Sequence, residues 1–297
     1  MNHILILNFF SLLIEKEWIR WPFIAAILIG ILAPLLGTVV VIKRLSFIAD
    51  TLSHFSLAGV CIGVYLSKIV MIKFLDPIVL GVIFSIGGTF LIEKLRGLYK
   101  NYKELSMPIV LSLGVGLSSL FISLSGGGTS NLTNQLLFGN IYNVSLKLLI
   151  TIIIITVSII LIAVFFYKQI VQLCFDERYA QVCGLNVKAM QTLLTIILAI
   201  VISIFIDTIG VLLISALLIV PIATAILIGD SFTKTIIISI IISEVSIVCG
   251  FVFSYYAGWP TGATIVLLNL IILVFVIMYA GIKKRIKQHQ ANKTQIS

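Results

Sequence analysis

The chain has 297 residues, of which 60% are apolar and 10% charged, and its formal net charge is +9. Soluble proteins average roughly 45–50% apolar and about 25% charged residues, so this composition excludes a water-soluble protein, and a mean hydropathy of +1.23 excludes a disordered one. The basic residues cluster at the ends of apolar runs, as at Lys43-Arg44, which favours the anionic inner surface of a membrane over nucleic acid as their partner.

The N-terminal segment, residues 1–20, begins with an apolar run that is followed by Glu15-Lys16-Glu17. It lacks a basic start and a small-residue cleavage site, so we expect an interfacial helix and not a cleaved signal peptide. Residues 21–281 are predicted to form a transmembrane domain, and residues 282–297 a basic cytoplasmic tail.

Apolar runs long enough to cross a bilayer fill most of the chain. A helical crossing takes about 20 residues, because every backbone polar group must be bonded within the segment. An all-α, multi-pass membrane protein is therefore predicted. Asp207 interrupts the apolar stretch 190–228, which is compatible with two spans or with one span and a broken helix, so eight spans are the alternative to nine. The nine candidate spans are 21–42, 46–66, 76–95, 107–124, 144–167, 190–207, 209–228, 232–254 and 261–281.

The positive-inside rule gives these spans an orientation. With nine spans and a cytoplasmic C-terminus, fifteen of the twenty Lys and Arg residues fall in inner segments and five in outer ones. The segment 125–143 is then an outer loop rich in Gly and Asn. The polar segment 168–189 faces the cytoplasm, where we expect another protein to contact it.

Ionisable residues within the spans are few, and such residues are functional by default because burial in lipid is costly. Asp50 and His54 are four residues apart, so a helix presents them on one face, and carboxylate and imidazole are ligands that zinc and manganese accept. The alternative is a polar patch in which the two bond to each other or to neighbouring hydroxyl groups. Glu244 is a candidate third ligand; its alternative is a protonated or hydroxyl-bonded glutamate. For Asp207 a helix cap at the outer mouth is favoured.

Small residues follow the Asp50/His54 pair. Gly59 and Gly63 form a small-x-x-x-small pattern, which predicts close packing of this helix against a neighbour. Cys61, between them, is interpreted as a core cysteine.

No catalytic motif is present. The sequence lacks a G-x-x-x-x-G-K-[ST] phosphate loop, an H-E-x-x-H pair and a G-x-S-x-G elbow. The chain is therefore predicted not to be an enzyme, and any energy from ATP must come from another chain. The alternative is a proton-coupled secondary transporter of a divalent cation that uses the intramembrane Asp, Glu and His residues.

Several blocks together resemble the permease subunits of bacterial ABC importers for zinc and manganese. The resemblance covers about residues 20–281. The blocks are Arg44-Leu45-Ser46-Phe47-Ile48-Ala49-Asp50-Thr51-Leu52-Ser53-His54 with Leu57-Ala58-Gly59-Val60, then Leu137-Phe138-Gly139, 176–187, 210–221 and 260–264.

This resemblance implies a homodimer in the bacterial plasma membrane, with an ATP-binding subunit inside and a metal-binding lipoprotein outside. Asp50 and His54 match the positions that line the metal path, whereas Glu244 matches no family ligand. Zn²⁺ or Mn²⁺ is cargo, and no prosthetic group is implied. Zinc is favoured, because manganese-type members often have Leu-Pro-Gly where this chain has Leu57-Ala58-Gly59. The residues implied to couple to the ATP-binding subunit are Asp176, Glu177, Ala180 and Gly184.

Overall fold

The computed structural model describes residues 16–70, 76–99, 101–125, 137, 139 and 144–296. The predicted interfacial segment up to residue 15, and the outer loop 125–143 apart from residues 125, 137 and 139, lie outside the described residues. Regular structure in the described part is helical, without a strand, which confirms the all-α prediction. A short 3₁₀ helix, Lys103–Leu105, precedes the fourth of the ten α-helices found in the described residues. These are α1 Glu17–Ile42, α2 Phe47–Val70, α3 Pro77–Leu98, α4 Ser106–Leu124, α5 Leu146–Phe165, α6 Tyr167–Phe175, α7 Glu177–Val182, α8 Val187–Ile226, α9 Phe232–Ala257 and α10 Thr261–Ile296.

Eight of the described helices are long and apolar enough to cross a membrane: all but the short helices α6 and α7. Their positions follow the apolar runs of the sequence, with two differences at the ends. The first helix begins at Glu17, so residues 17–20 belong to the first span and not to the N-terminal segment. The last helix continues to Ile296, through the residues predicted to form a separate tail, because nothing in that basic stretch is a Pro or Gly that would stop it.

Polar caps fix the starts of several helices. The carboxylate of Asp76 accepts a hydrogen bond from the Ile78 N–H, and Pro77 occupies the first helical position, where its missing N–H is not needed. Hydroxyl oxygens of Ser145 and Ser231 cap α5 and α9 in the same way. These caps set where the chain enters each span.

The centre of the bundle is α8, which packs against α1, α2, α3, α9 and α10. The helices α1, α2 and α8 are the most buried of the spans. The least buried is α10, in which only 11% of the most apolar stretch is buried. Lipid provides no hydrophobic force between helices, so close contact depends on small residues. Gly37 of α1 is one: a Cβ there would overlap the carbonyl oxygen of Leu218 in α8.

The long helix α8 reverses direction at Gly210, whose φ of 78° and ψ of 163° are not helical. Its two halves reach the same depth of the bundle, since Ile197 lines a cavity beside Leu36, and Leu218 contacts the adjacent Gly37. In a straight helix residues 197 and 218 would be about 32 Å apart at about 1.5 Å per residue. The halves 187–209 and 211–226 therefore run antiparallel.

By length and composition eight described helices could cross a membrane, and the reversal within one of them is compatible with a ninth pass. The second half, 211–226, is about 24 Å long, somewhat short of the roughly 30 Å hydrocarbon core. The break lies three residues after Asp207. Gly210 provides it because a positive φ costs glycine nothing, whereas Asp207 stays within the helical segment and is not a cap at its start.

Candidate functional site

Asp50 and His54 lie in the first two turns of α2, as the sequence predicted for a pair four residues apart. Asp50 stands in the first turn, where the positive end of the helix dipole stabilises a carboxylate. Both side chains are half-buried, so they lie inside the bundle without being sealed off. The pair therefore offers one carboxylate and one imidazole on a single helix face.

The hydroxyl groups next to this pair are hydrogen-bonded elsewhere. Thr51 and Ser53 donate to backbone carbonyl groups one turn earlier in α2, at 2.7 and 2.8 Å, and Ser56 donates to Ser203 Oγ of α8 at 2.8 Å. Among the residues that the structure describes, the Asp50/His54 pair takes no hydrogen bond and no ion pair. This arrangement does not match the alternative of a satisfied polar patch, and it leaves both groups able to bind a ligand.

Glycines hold α2 tightly against α3. A Cβ at Gly59 would lie 2.6 Å from the carbonyl oxygen of Leu80, and one at Gly63 would lie 2.8 Å from the Cα of Pro77. Cys61, between the two glycines, is 3% exposed and belongs to the apolar core. This side of α2 is thus fixed to its neighbour by backbone contact.

A second helix, α4, also packs closely on α2. Gly114 lies against the backbone of α2 beside the pair, and a Cβ at Gly114 would come within 3.0 Å of the carbonyl carbon of His54. A larger residue there would push α4 away from the helix that carries the pair.

Glu244 is not brought to the pair. It lies on α9 with one carboxylate oxygen facing α1, where a Cβ at Gly30 would be 2.6 Å from Glu244 Oε1. That oxygen is buried and has no hydrogen-bond partner within the described residues. Nowhere among the described residues do three His, Cys, Asp or Glu side chains come close enough to hold one metal ion. Two groups from one copy of the chain leave a tetrahedral or octahedral shell incomplete.

The polar segment predicted to face the cytoplasm contains α6 and α7. The Asp176 carboxylate caps α7 by accepting hydrogen bonds from the N–H groups of Arg178 and Tyr179, at 2.9 and 3.0 Å. Ala180 is completely buried, in a small apolar cluster separate from the main core. The cluster consists of Leu173, Ala180, Val187 and Met190, with Leu185 and Leu194 packed against it.

A left-handed glycine ends α7. Gly184 has a φ of 84°, and its N–H donates to the Gln181 carbonyl at 3.0 Å while the Leu185 N–H donates to the Ala180 carbonyl at 3.0 Å. This is a Schellman motif, with Leu185 packed on the cluster beneath Ala180. No atom lies within 4 Å of the position that a Cβ at Gly184 would take, so Gly184 faces open space.

Glu177 contacts two other elements, which the sequence did not predict. Its Oε1 forms an ion pair with Lys43 Nζ at 2.9 Å and accepts a hydrogen bond from Gln191 Nε2 at 2.7 Å. Close by, Thr192 donates to the Glu93 carboxylate at 2.7 Å. These contacts connect α7 to the ends of α1 and α8 at one side of the bundle.

Two side chains in this segment have a raised pKa. Burial raises the pKa of the Cys174 thiol to about 11, although the nearby Lys43 ammonium acts in the opposite direction. A hydrogen bond with Cys183, with the charge of that thiol and slight desolvation as smaller causes, raises the pKa of Tyr179. Both groups are therefore neutral at physiological pH.

Comparison with known proteins gives consistent matches along nearly the whole chain. Residues 15–280 match the model of the ABC 3 transport family. The chain is 29% identical to the manganese transport system membrane protein MntC of Listeria monocytogenes over 90% of its length and 92% of the relative's. It is 31% identical to the high-affinity zinc uptake system membrane protein ZnuB of Buchnera aphidicola over 88% of its length and 95% of the relative's.

Among solved structures, the fold is similar to a chain of PsaBC from Streptococcus pneumoniae in complex with Fab. The TM-score is 0.79 with 26% sequence identity, and the match covers 91% of this chain and 95% of the other.

Proposed function

This chain belongs to the ABC 3 transport family, and from that premise we propose that it forms the path by which an ABC importer moves zinc into the cell. It is a multi-pass membrane permease for metal ions, and its relatives include proteins named for manganese and for zinc transport. A proton-coupled secondary transporter is not favoured by any of these similarities.

We assign contact with the ion to Asp50 and His54. The observation that supports this assignment is that both groups are half-buried in the bundle and, within the described residues, take no hydrogen bond, while the hydroxyl groups of Thr51, Ser53 and Ser56 are engaged elsewhere. An intramembrane carboxylate and imidazole without partners are costly unless a cation visits them. Two ligands hold an ion only modestly, which suits a permeation step better than storage.

We leave Glu244 outside this pair. Its carboxylate faces Gly30 of α1, and α9 packs mainly on α1, α8 and α10. A third ligand in the path would come instead from water or from the second copy of a homodimer.

We infer three partners: a second copy of the chain, an ATP-binding subunit and an extracytoplasmic metal-binding lipoprotein. The ATP-binding subunit would dock on the segment that contains α6 and α7, near Asp176, Ala180 and Gly184. Support comes from two apolar side chains that stay exposed: Val182 is 86% exposed, and Phe175 is 67% exposed although its ring meets that of Phe232 edge to face. The nine passes and the excess of basic residues at one side favour a cytoplasmic C-terminus.

Zinc is proposed ahead of manganese because Ala58, not proline, follows the pair. Ala58 lies inside the continuous helix α2, where its N–H is in position to bond the His54 carbonyl. Proline there would lack that donor and free a carbonyl oxygen beside the path, and oxygen ligands suit manganese better than zinc.

Uptake measurements test the assignment of the pair. Asp50→Ala and His54→Ala are each expected to abolish metal accumulation while the complex still assembles, because each removes a ligand and adds no bulk. Ser53→Ala is the matched control: it lies between them on α2, but its hydroxyl is used inside the helix. Uptake at the parental level in both ligand variants would refute the assignment.

The metal is tested by the zinc and manganese content of cells that carry or lack the chain, each under separate limitation for zinc and for manganese. We expect the chain to raise zinc content under zinc limitation. A rise confined to manganese would reverse the proposed preference without affecting the path.

A further inference from the structure

The ion pair between Lys43 and Glu177 joins the segment after α5 to the turn that precedes α2. The Lys43 side chain is 6% exposed, whereas that of Glu177 is 50% exposed, and the two charged atoms are 2.9 Å apart. An ammonium group withdrawn from water depends strongly on its anion, since removal of one partner leaves an uncompensated buried charge. The position of the Lys43 ammonium group is therefore fixed by the Glu177 carboxylate.

Glu177 is itself fixed in position. It is the first residue of α7, whose start is capped by Asp176, and Gln191 at the start of α8 donates to the same oxygen that binds Lys43. The carboxylate thus bridges α7, the inner end of α8 and the end of α1. Its Oε1 faces Lys43 and Gln191 of the same chain, while half of the side chain stays exposed.

The turn on the other side of the ion pair is short and internally bonded. The Arg44 N–H donates to the Val41 carbonyl and the Leu45 N–H to the Val40 carbonyl, both at 2.9 Å. Phe47, only four residues after Lys43, already begins α2. A chain this tightly bonded has little slack, so a displacement of Lys43 passes into the first turn of α2, where Asp50 lies.

We propose that the Lys43–Glu177 ion pair is the contact through which the cytoplasmic segment positions the Asp50/His54 helix. This inference rests on the proposed function, because the displacement would come from the docked ATP-binding subunit. Lys43 and Glu177 are then positioning residues, which transmit movement from α7 to α2.

A double-mutant cycle in the assembled complex, reconstituted in lipid vesicles with its ATP-binding subunit, tests the proposal. The variants are Lys43→Met, Glu177→Gln and the two together, with Lys43→Arg as the conservative change. The readouts are co-purification of the ATP-binding subunit, ATP hydrolysis, and zinc uptake per ATP hydrolysed. Lys234→Met is the control, because Lys234 pairs with Asp230 at 3.7 Å on an exposed surface.

We expect each neutral variant to keep the ATP-binding subunit and its hydrolysis but to lose about tenfold in uptake per ATP, in line with the loss of a partly buried charge pair. The double variant should be no worse than either single one, because paired residues are not additive. Lys43→Arg should retain uptake. Lys234→Met should match the parent.

Three results would overturn the proposal: parental uptake per ATP in the neutral variants, additive losses in the double variant, or loss of the ATP-binding subunit, which would make Glu177 a docking residue. If the single variants do not accumulate in the membrane, the double variant decides by the same ratio, since it orphans neither charge. Asp50→Ala in the same vesicles separates the two ideas. If Asp50→Ala loses uptake while the Lys43 and Glu177 variants keep theirs, only this inference is overturned. If Asp50→Ala keeps the parental uptake, the proposed function is overturned.

Discussion

Arg44 holds a backbone conformation that usually belongs to glycine. Its φ of 58° puts it in the left-handed region, at the residue that follows the last cap of α1. Gly184 occupies the equivalent place after α7, with the same two hydrogen bonds. An L-residue in this region costs about 1–2 kcal/mol, so α1 ends in a Schellman motif that is strained where that of α7 is not.

Replacement of Arg44 by glycine should therefore stabilise the permease. We expect the free energy of unfolding of Arg44→Gly to exceed that of Arg44→Ala by about 1 kcal/mol. Alanine removes the same side chain as glycine but keeps the β-carbon that causes the strain. The measurement is thermal unfolding of both variants in the same detergent, where this difference corresponds to a few degrees in Tm. Equal midpoints would show that Arg44 carries no strain.

At the scale of the element, α7 illustrates how a short helix is held in place. It has six residues, far fewer than the roughly 12–15 that an isolated helix needs in water. Its stability comes from its two ends and from one face: the Asp176 cap, the Gly184 motif, and burial of Ala180 on the small apolar cluster. The opposite face, with Val182 86% exposed, is the one on which we propose that the ATP-binding subunit docks.

Two substitutions of Gly184 separate backbone strain from docking. Alanine is small but disfavours a positive φ, whereas asparagine is larger but tolerates the left-handed region. Because the chain leaves open space around Gly184, bulk alone meets nothing within it.

If docking is what limits this position, Gly184→Asn should release more of the ATP-binding subunit on co-purification than Gly184→Ala. If Gly184→Ala instead releases more of the subunit than Gly184→Asn, binding depends on the left-handed backbone at this turn and not on the open space around Gly184.

At the scale of the whole molecule, the reversal of α8 sets the parity of the crossings. Nine passes, the number we propose, would place the two ends of the transmembrane domain on opposite sides of the membrane. The segment between α5 and α8 then lies on the same side as the C-terminus, with Cys183 exposed on its surface and Cys61 buried in the core.

Thiol labelling tests this sidedness. In a variant that keeps only Cys183, a membrane-impermeant maleimide should react in inverted vesicles and not in intact spheroplasts. A variant that keeps only Cys61 should react from neither side. A variant that keeps only Cys174 should react slowly at pH 7, because a thiol with a pKa near 11 is almost entirely protonated, and faster as the pH rises. Labelling of Cys183 in intact spheroplasts would invert the proposed orientation.

The spans could be predicted from sequence because each apolar run had to satisfy its own backbone hydrogen bonds. The placement of Asp50 and His54 on one helix face could also be predicted, because helical spacing is local, whereas their contact with a metal ion stays a prediction. What failed was non-local. The ion pair of Lys43 with Glu177 joins residues 134 positions apart, and neither residue type nor spacing indicates it. The packing of Glu244 on α1 likewise depends on how helices assemble.

The turn at Gly210 limits the use of antibodies, proteases and epitope tags on this protein. The chain changes direction there within one residue, and Gly139 presses against the Ile209 carbonyl so closely that a β-carbon would overlap it. No loop projects between the two halves. Antibodies and proteases therefore find no projecting loop to bind or cleave at this bend, and an epitope tag inserted there would have to open the contact with Gly139.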